Sequence, residues 1–341
     1  MFDCSDEASF MSAFCFTSLT PDTVLDALEQ YGMVIDSGLT ALNSYENRVY
    51  QFRGELDSAP GIQRWVVKFY RPERWSQAQL QEEHDFTFEL AAADVPVVAP
   101  VVLNSHSVLP YAGGYFALFP SRGGRTLETD NEEQLVMLGR FLGRLHQVGK
   151  ASSFHHRPAF SVDSHLHQSR QVLTSCPFIP DSLQQSFFTI LDMVIELASK
   201  QYQPSQLIRL HGDCHAGNLF IDQQGPFFVD LDDCRMGPAV QDIWMMLSGE
   251  RSEQLLYLDC MLEEYQQFCD FDPAELTLIE PLRAMRMIHY MAWLARRWQD
   301  PAFAMNFPWF ATDKYWEQQI LVLKEQLFLL QQPPLSLQPG Y

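Results

Sequence analysis

Residues 209–233 read RLHGDCHAGNLFIDQQGPFFVDLDD, a polar glycine-broken loop followed by two short apolar runs and a closing set of carboxylates. Gly212 and Gly217 stop the polar part from continuing as a helix, because glycine is unfavourable in helix interiors and takes up turn conformations. LFI (219–221) and FFVD (227–230) flank a Gln-Gln-Gly turn, the pattern of a short hairpin. A fold that accommodates this stretch carries Asp213 and Asn218 on a loop and swings Asp230 back beside them at the end of the returning strand.

Two chemistries compete for that arrangement. His211, Cys214 and His215 suggest zinc, which needs three or four nitrogen or sulfur ligands converging on one point. His211 and His215 are four apart, but the segment reads as a loop and the next thiol, Cys234, is distant in sequence. The oxygen side chains suggest magnesium, a hard ion that prefers carboxylate and amide oxygens. Phosphoryl transfer needs a carboxylate to orient the acceptor hydroxyl and take its proton, hard oxygen ligands for the metal, and a cation on the nucleotide phosphates. A single Asp or Asn in a loop is usually a turn former. Asp213, Asn218 and Asp230 in conjunction point to chemistry.

The rest of the chain bounds the answer. With 341 residues, nearly half of them apolar, it has enough material for two lobes with real cores. Its net charge of −20, from 23 basic and 43 acidic side chains, argues against binding nucleic acid or anionic membranes, which need clustered Lys and Arg. The seven cysteines, at 4, 15, 176, 214, 234, 260 and 269, form no C-x-x-C pair and read as reduced thiols. The opening MFDCSDEASFMSAFCF lacks the basic and apolar regions of a signal peptide. The most apolar run, VPVVAPVVL (95–103), is too short and proline-broken to span a bilayer. These features predict a soluble cytoplasmic protein, with monomer as the default state.

Thr20 as cap, Pro21 in the first turn and Gly32 as stop predict a helix over 20–32. NRVYQFR (47–53) and RWVVKFY (64–70) predict strands joined by a turn containing Gly and Pro, and 75–93 a long helix. VPVVAPVVL and GGYFALFP predict further strands. Beyond about residue 120 the pattern turns helical, over 131–148, 182–200, 252–269, 274–298 and 315–331, with a loose tail QQPPLSLQPGY. The expected fold is α+β and bilobed, with a hinge near Phe119–Arg122. Residues 1–120 would be a nucleotide-binding lobe, a small antiparallel sheet with a crossing helix. Residues 121–341 would be a helical catalytic and acceptor-binding lobe.

HGDCHAGN resembles the H-G-D-x-H-x-x-N loop of the aminoglycoside and choline kinase branch of the protein-kinase-like superfamily, and FFVDLDD resembles its magnesium-binding I-D-x-[DE] segment. The resemblance implies Asp213 as catalytic base, and Asn218 and Asp230 as magnesium ligands, Asp230 also serving the chemistry directly. It implies Lys68, in WVVKFY, as the lysine on the nucleotide phosphates. A lysine buried on a strand is costly without a counter-charge, so a carboxylate is expected on the next helix. Glu82 and Glu83 both qualify, and Glu83 fits better because Phe86 and Leu90 then share its packed side.

The chief departure is the missing glycine-rich phosphate loop. LNSYENRVYQF stands in its place, with Ser44 offering a hydroxyl and an N–H to phosphate and Asn43 and Asn47 tolerating turn geometry, while Arg48 reads as a surface residue. Asp242, in GPAVQD, resembles the family's helix aspartate that holds the catalytic loop. Asp232 is a candidate second metal ligand, and Asp233 is expected to face solvent. His211 and His215 become scaffold, with His215 also within reach of the acceptor or phosphate, and Cys214 a small loop side chain. Arg283, Arg286, Arg296 and Arg297 are expected to pair with acidic neighbours or to steer an acceptor.

The resemblance runs from about residue 17 to the end. It implies transfer from ATP to serine or threonine hydroxyls of proteins, including autophosphorylation, in a bacterial response to envelope and oxidative stress. Two alternatives share the sequence: a kinase of small alcohols of the choline, homoserine or aminoglycoside type, and a pseudokinase that only binds.

Overall fold

The computed structural model describes Phe16, residues 19–57 and residues 59–337. The sequence reading of residues 1–15, including Cys4 and Cys15, and the last residues of the tail, 338–341, lie outside them. Helix α1 (Pro21–Glu29) starts at Thr20, whose hydroxyl accepts from the Thr23 N–H. Five strands, β1 (Met33–Ile35), β2 (Thr40–Ala41), β3 (Arg48–Leu56), β4 (Ala59–Phe69) and β5 (Leu109–Tyr111), join β6 (Gly114–Pro120) in an antiparallel sheet ordered β1-β3-β4-β6-β5, with β2 on β3. Helix α2 (Gln77–Ala92) crosses it, opened by a capping box between Ser76 and Gln79. Leu80 packs with Tyr70 and Val108 of the small lobe, whereas Phe86 and Leu90 belong to the core of the large lobe. The crossing helix is therefore held by both.

The large lobe holds β7 (Arg125–Thr126), α3 (Glu132–Lys150), α4 (Gln168–Thr174), α5 (Asp181–Gln201), β8 (Ile208–Leu210), β9 (Leu219–Asp222), β10 (Gly225–Phe228), β11 (Arg235–Gly237), α6 (Arg251–Tyr265), α7 (Ile279–Arg297), α8 (Pro301–Asn306) and α9 (Asp313–Leu330). A Cβ on Gly139 or Gly143 would sit 2.1 Å from the Met261 carbonyl oxygen or 2.4 Å from that of Tyr265. Only glycine lets α3 and α6 pack this closely. The β9–β10 hairpin extends through β7, and β8 pairs with β11, which places the 211–218 loop and the acidic segment side by side.

Several expectations change. VPVVAPVVL forms no strand; its only ladder contacts are isolated bridges, Val97 beside Phe228 and Leu103 beside His106, because its prolines donate no ladder hydrogen bonds. Strands β3 and β4 run on through Gly54 and Gly61, β3 ending at Leu56 and β4 starting at Ala59. The tail is docked up to residue 337: Leu335 is buried and the Arg251 guanidinium donates to the Pro333 carbonyl at 3.1 Å. The expected helix over 274–298 begins as a 3-10 turn, Pro273–Leu278, before α7. Among the described residues no helix is long and apolar enough to cross a membrane.

Candidate active site

Lys68 lies on β4, the central strand of the sheet, and is only 6% exposed. Its Nζ is 2.6 Å from Asp230 Oδ1, 3.4 Å from Asp232 Oδ1 and 3.8 Å from Glu83 Oε1. Burial alone would depress its pKa, but these three carboxylates outweigh burial and hold the ammonium firmly charged. Glu83 is shared between Lys68 and Arg157, whose Nη2 donates to Oε2 at 2.9 Å. Burial pushes the Glu83 carboxyl up to about 7 against the pull of both cations. Glu82, one residue earlier, faces elsewhere and accepts the backbone N–H groups of His155, His156 and Arg157 at 2.6, 2.9 and 2.8 Å.

The loop that carries Asp213 is built on Asp242. This carboxylate is fully buried and accepts the His211 N–H at 2.7 Å and the Gly212 N–H at 2.9 Å, with His146 Nε2 at 3.2 Å. Gly212 has φ +86°, and a Cβ there would meet the Asp233 carbonyl oxygen at 2.1 Å, so no other residue fits. Both ring nitrogens of His211 are engaged, Nε2 on the Val229 carbonyl at 3.0 Å and Nδ1 by the Asp213 N–H at 3.4 Å. His215 Nδ1 accepts the Gly217 N–H at 2.9 Å. Neither ring is free to bind zinc through a second nitrogen, and among the described residues no group of three His, Cys, Asp or Glu could hold a metal. Cys214 is fully buried and burial pushes its thiol up, which makes it inert to oxidation.

Asn218 donates from Nδ2 to the Asp213 carbonyl at 3.0 Å, an orientation that leaves its amide oxygen as the free atom. Asp230 adopts the left-handed conformation, φ 61° and ψ 68°, which a non-glycine residue takes up only under constraint. Its side chain stays 48% exposed. Asn218, Asp230 and Asp213 all line one cavity of 460 Å³, together with Ser44, Asp232 and Arg286. An exposed carboxylate beside a free amide oxygen is a donor set for a hard cation, and it fits magnesium in kind. Ser44 belongs to a loop held without glycines, because its neighbour Glu46 accepts from Trp293 Nε1 at 2.6 Å and Arg297 Nη2 at 2.7 Å on α7. A larger cavity of 880 Å³ between α6, α7 and α9 contains none of these residues, and in its wall Arg283 pairs with Glu280 at 3.1 Å.

The structure also corrects the acidic segment. Asp232 Oδ2 is taken by Arg74 and by Asn47 Nδ2 at 3.1 Å, while Oδ1 is buried without a hydrogen-bond donor. Asp233 does not simply face solvent: Arg74 and Arg235 hold it at 2.8 and 2.6 Å, and their charges overcome burial to keep its carboxyl well below the usual range. Arg48 is mostly buried, 3.4 Å from Asp300 and over the Phe16 ring at 4.5 Å. Arg297 pairs with Glu46, and Arg286 sits on Asp213 Oδ1. Sequence reading missed Arg157 altogether. Its guanidinium also donates to the carbonyls of Gln79 at 2.8 Å, Asp232 at 2.7 Å and Cys234 at 3.0 Å, joining α2 to the acidic segment. No motif marks it, since it stands in the irregular HHRP stretch far from both partners in sequence.

A curled antiparallel sheet over a helical body, with a lysine, a glutamate and two carboxylate-bearing loops meeting in the cleft, defines a protein-kinase-like phosphotransferase. Residues 38–279 match the phosphotransferase enzyme family APH. The chain is 50% identical over 331 residues to stress response kinase A of Escherichia coli strain K12, covering 97% of this chain and 99% of that one. It is 48% identical, with the same coverage, to the serine/threonine protein kinase RdoA of Salmonella typhimurium strain LT2. The chain therefore belongs to the phosphotransferase enzyme family. Two solved structures share its fold. An amicoumacin kinase in complex with AMP-PNP and Ca2+ has a TM-score of 0.68 at 20% identity, covering 92% of this chain and 94% of that one. A microcompartment-associated aminopropanol kinase has a TM-score of 0.67 at 16% identity, covering 90% and 98%.

Proposed function

We propose that this chain is an ATP- and magnesium-dependent serine/threonine protein kinase, able to phosphorylate itself, that acts in the cytoplasm in a bacterial stress response. The observation that carries the reading is the convergence of Lys68, Glu83, Asp230, Asn218 and Asp213 around one cleft. The names of the half-identical relatives, a stress response kinase and a serine/threonine protein kinase, support the acceptor class and the setting.

In this reading residues 1–120 bind the nucleotide and residues 121–341 supply the chemistry and the acceptor surface. Lys68, oriented by Glu83, grips the phosphates, and Ser44 contributes its hydroxyl and N–H from the loop above. Asn218 and Asp230 hold magnesium, which when bound neutralises charge on the phosphates. Asp213 orients the acceptor hydroxyl and takes its proton. The hydroxyl oxygen forms the new bond to the γ-phosphorus as the bond to the bridging oxygen breaks, and ADP leaves. Burial would raise the Asp213 carboxyl, but His215 and Arg286 hold it well below the usual range, so it is ionised at any working pH. A pseudokinase is disfavoured because every side chain assigned to phosphate or metal, Lys68, Asn218 and Asp230, is present although the glycine-rich loop is not. The small cavity with Tyr290 and Trp293 in its wall keeps a small alcohol as the second reading.

The test is to incubate the pure protein with labelled ATP, a generic protein acceptor and a pool of small alcohols, and to follow the label. Label on protein, lost by about 10²-fold or more in Asp213→Ala with ATP binding retained, is the expected result. Near-normal turnover in that variant overturns the assignment, and label on small alcohols alone selects the second reading.

A further inference from the structure

The wall of the cleft opposite Lys68 is one face of α7: Leu282, Arg286, His289, Tyr290 and Trp293 follow helical spacing and line the same cavity as Asp213. Arg286 is 42% exposed and reaches across to Asp213 Oδ1, while His215 Nε2 lies 3.3 Å from Oδ2. Both oxygens of the base are engaged. A hydroxyl approaching Oδ1 must displace the guanidinium, which has a long flexible stem and no second carboxylate within an ion-pair distance among the described residues. Arg296, also exposed on α7, is in no ion pair among the described residues, and partial burial, then the Arg296 charge, lowers the pKa of the half-buried His289 to about 4. The α7 wall of the cleft therefore presents the Arg286 cation, with Arg296 further along the same helix, in a chain whose net charge is −20.

We propose that the acceptor segment is acidic, carrying a carboxylate beside the reacting hydroxyl, and that Arg286 passes from Asp213 to this carboxylate as the acceptor seats, with Arg296 as a second cation further along the same helix, outside the cavity. Arg286 is thus a specificity-determining residue. It shields the base until an anionic partner draws it off, and uncharged or basic segments leave it on Asp213. The inference rests on the kinase reading above and narrows its acceptor. The general acidity of the chain repels such an acceptor at long range, so selection depends on short-range pairing with a partly desolvated guanidinium.

The experiment compares serine peptides that differ only in flanking Glu, Gln or Lys, with the full chain and MgATP, alongside a hydroxy acid and an amino alcohol. The Glu peptide should exceed the Gln peptide by about tenfold in kcat/KM, the effect of one good charge pair. Arg286→Glu should reverse the order in favour of the Lys peptide, and Arg296→Gln should weaken the preference mainly through KM. Equal use of the three peptides by the unaltered chain overturns the inference while leaving the kinase reading intact. A uniform fall in kcat on all peptides in Arg286→Gln also overturns it, because the arginine then serves the transferred phosphoryl group. Label only on small alcohols overturns the protein acceptor, and preference for the hydroxy acid over the amino alcohol would still support Arg286 as the anion-selecting group.

Discussion

Asp242→Asn isolates what holds the loop that carries Asp213. The carboxylate accepts three hydrogen bonds in a fully buried site: the His211 N–H and His146 on Oδ2, and the Gly212 N–H on Oδ1. Asparagine has the same shape but one acceptor oxygen. With that oxygen in the Oδ2 position, its NH2 group faces the Gly212 N–H, donor against donor. An unsatisfied buried N–H costs about 1–3 kcal/mol, and the two bonds that remain each lose about 1 kcal/mol when the acceptor becomes neutral. The sum is roughly 3–5 kcal/mol, a large part of the ~5–15 kcal/mol that stabilises a folded domain. Gly212 sits in the left-handed conformation, φ +86°, so close to the Asp233 carbonyl that a Cβ would meet it at 2.1 Å, and repair of the lost bond requires the loop itself to shift. A displacement of about 1 Å at Asp213 lowers turnover by about 10²-fold. Urea unfolding and kcat, measured on the same preparation, should fall together. A loss below about 1 kcal/mol with unchanged kcat would refute the claim that Asp242 carries the loop.

Arg157→Lys keeps the charge but not the fork that spans Glu83 and the three carbonyls, and should cost about 3 kcal/mol or more in urea unfolding. Near-native stability would mean that the carbonyls are served otherwise. Glu83→Gln should weaken ATP binding and transfer through Lys68, whereas Glu82→Gln, which touches only backbone N–H groups, should lower stability by about 1–2 kcal/mol and spare turnover. Equal kinetic effects at the two positions would contradict that division. His84 bridges the Tyr70 hydroxyl and Ser107 at 2.8 Å each, and burial, then the charges of Lys68 and Arg157, lower its pKa to about 3. Its neutral form is favoured on folding, so its contribution is complete above about pH 6.5 and declines by about 1.4 kcal/mol per unit as pH falls toward 3. His84→Gln should flatten that part of the stability–pH curve, and an unchanged slope between pH 6.5 and 4 would count against it.

The β9–β10 hairpin and the loop before it were legible because their information is local. Glycine at 212, apolar runs of strand length and the Asp213, Asn218 and Asp230 spacing all act within a few residues. The long helices were legible for the same reason, since an amphipathic repeat reports the face that will be buried. The run 95–103 misled because apolar composition reports burial, while strand formation also needs the N–H groups that proline lacks. The choice of Glu83 over Glu82 followed from helical phase, and of these two glutamates the structure places only Glu83 within 4 Å of Lys68.

What the sequence by itself determined is the set of candidate side chains, Asp213, Asn218, Asp230, Lys68 and Glu83, each tied to a local pattern. The tertiary structure alone decided how those groups are charged and restrained. Arg157 reaching Glu83, Arg74 and Asn47 taking Asp232, Glu46 strapped to α7, and Arg286 resting on Asp213 all join positions more than 70 residues apart. The physical reason is that a long, flexible guanidinium chooses its carboxylate by distance in space, and no periodicity along the chain records that distance.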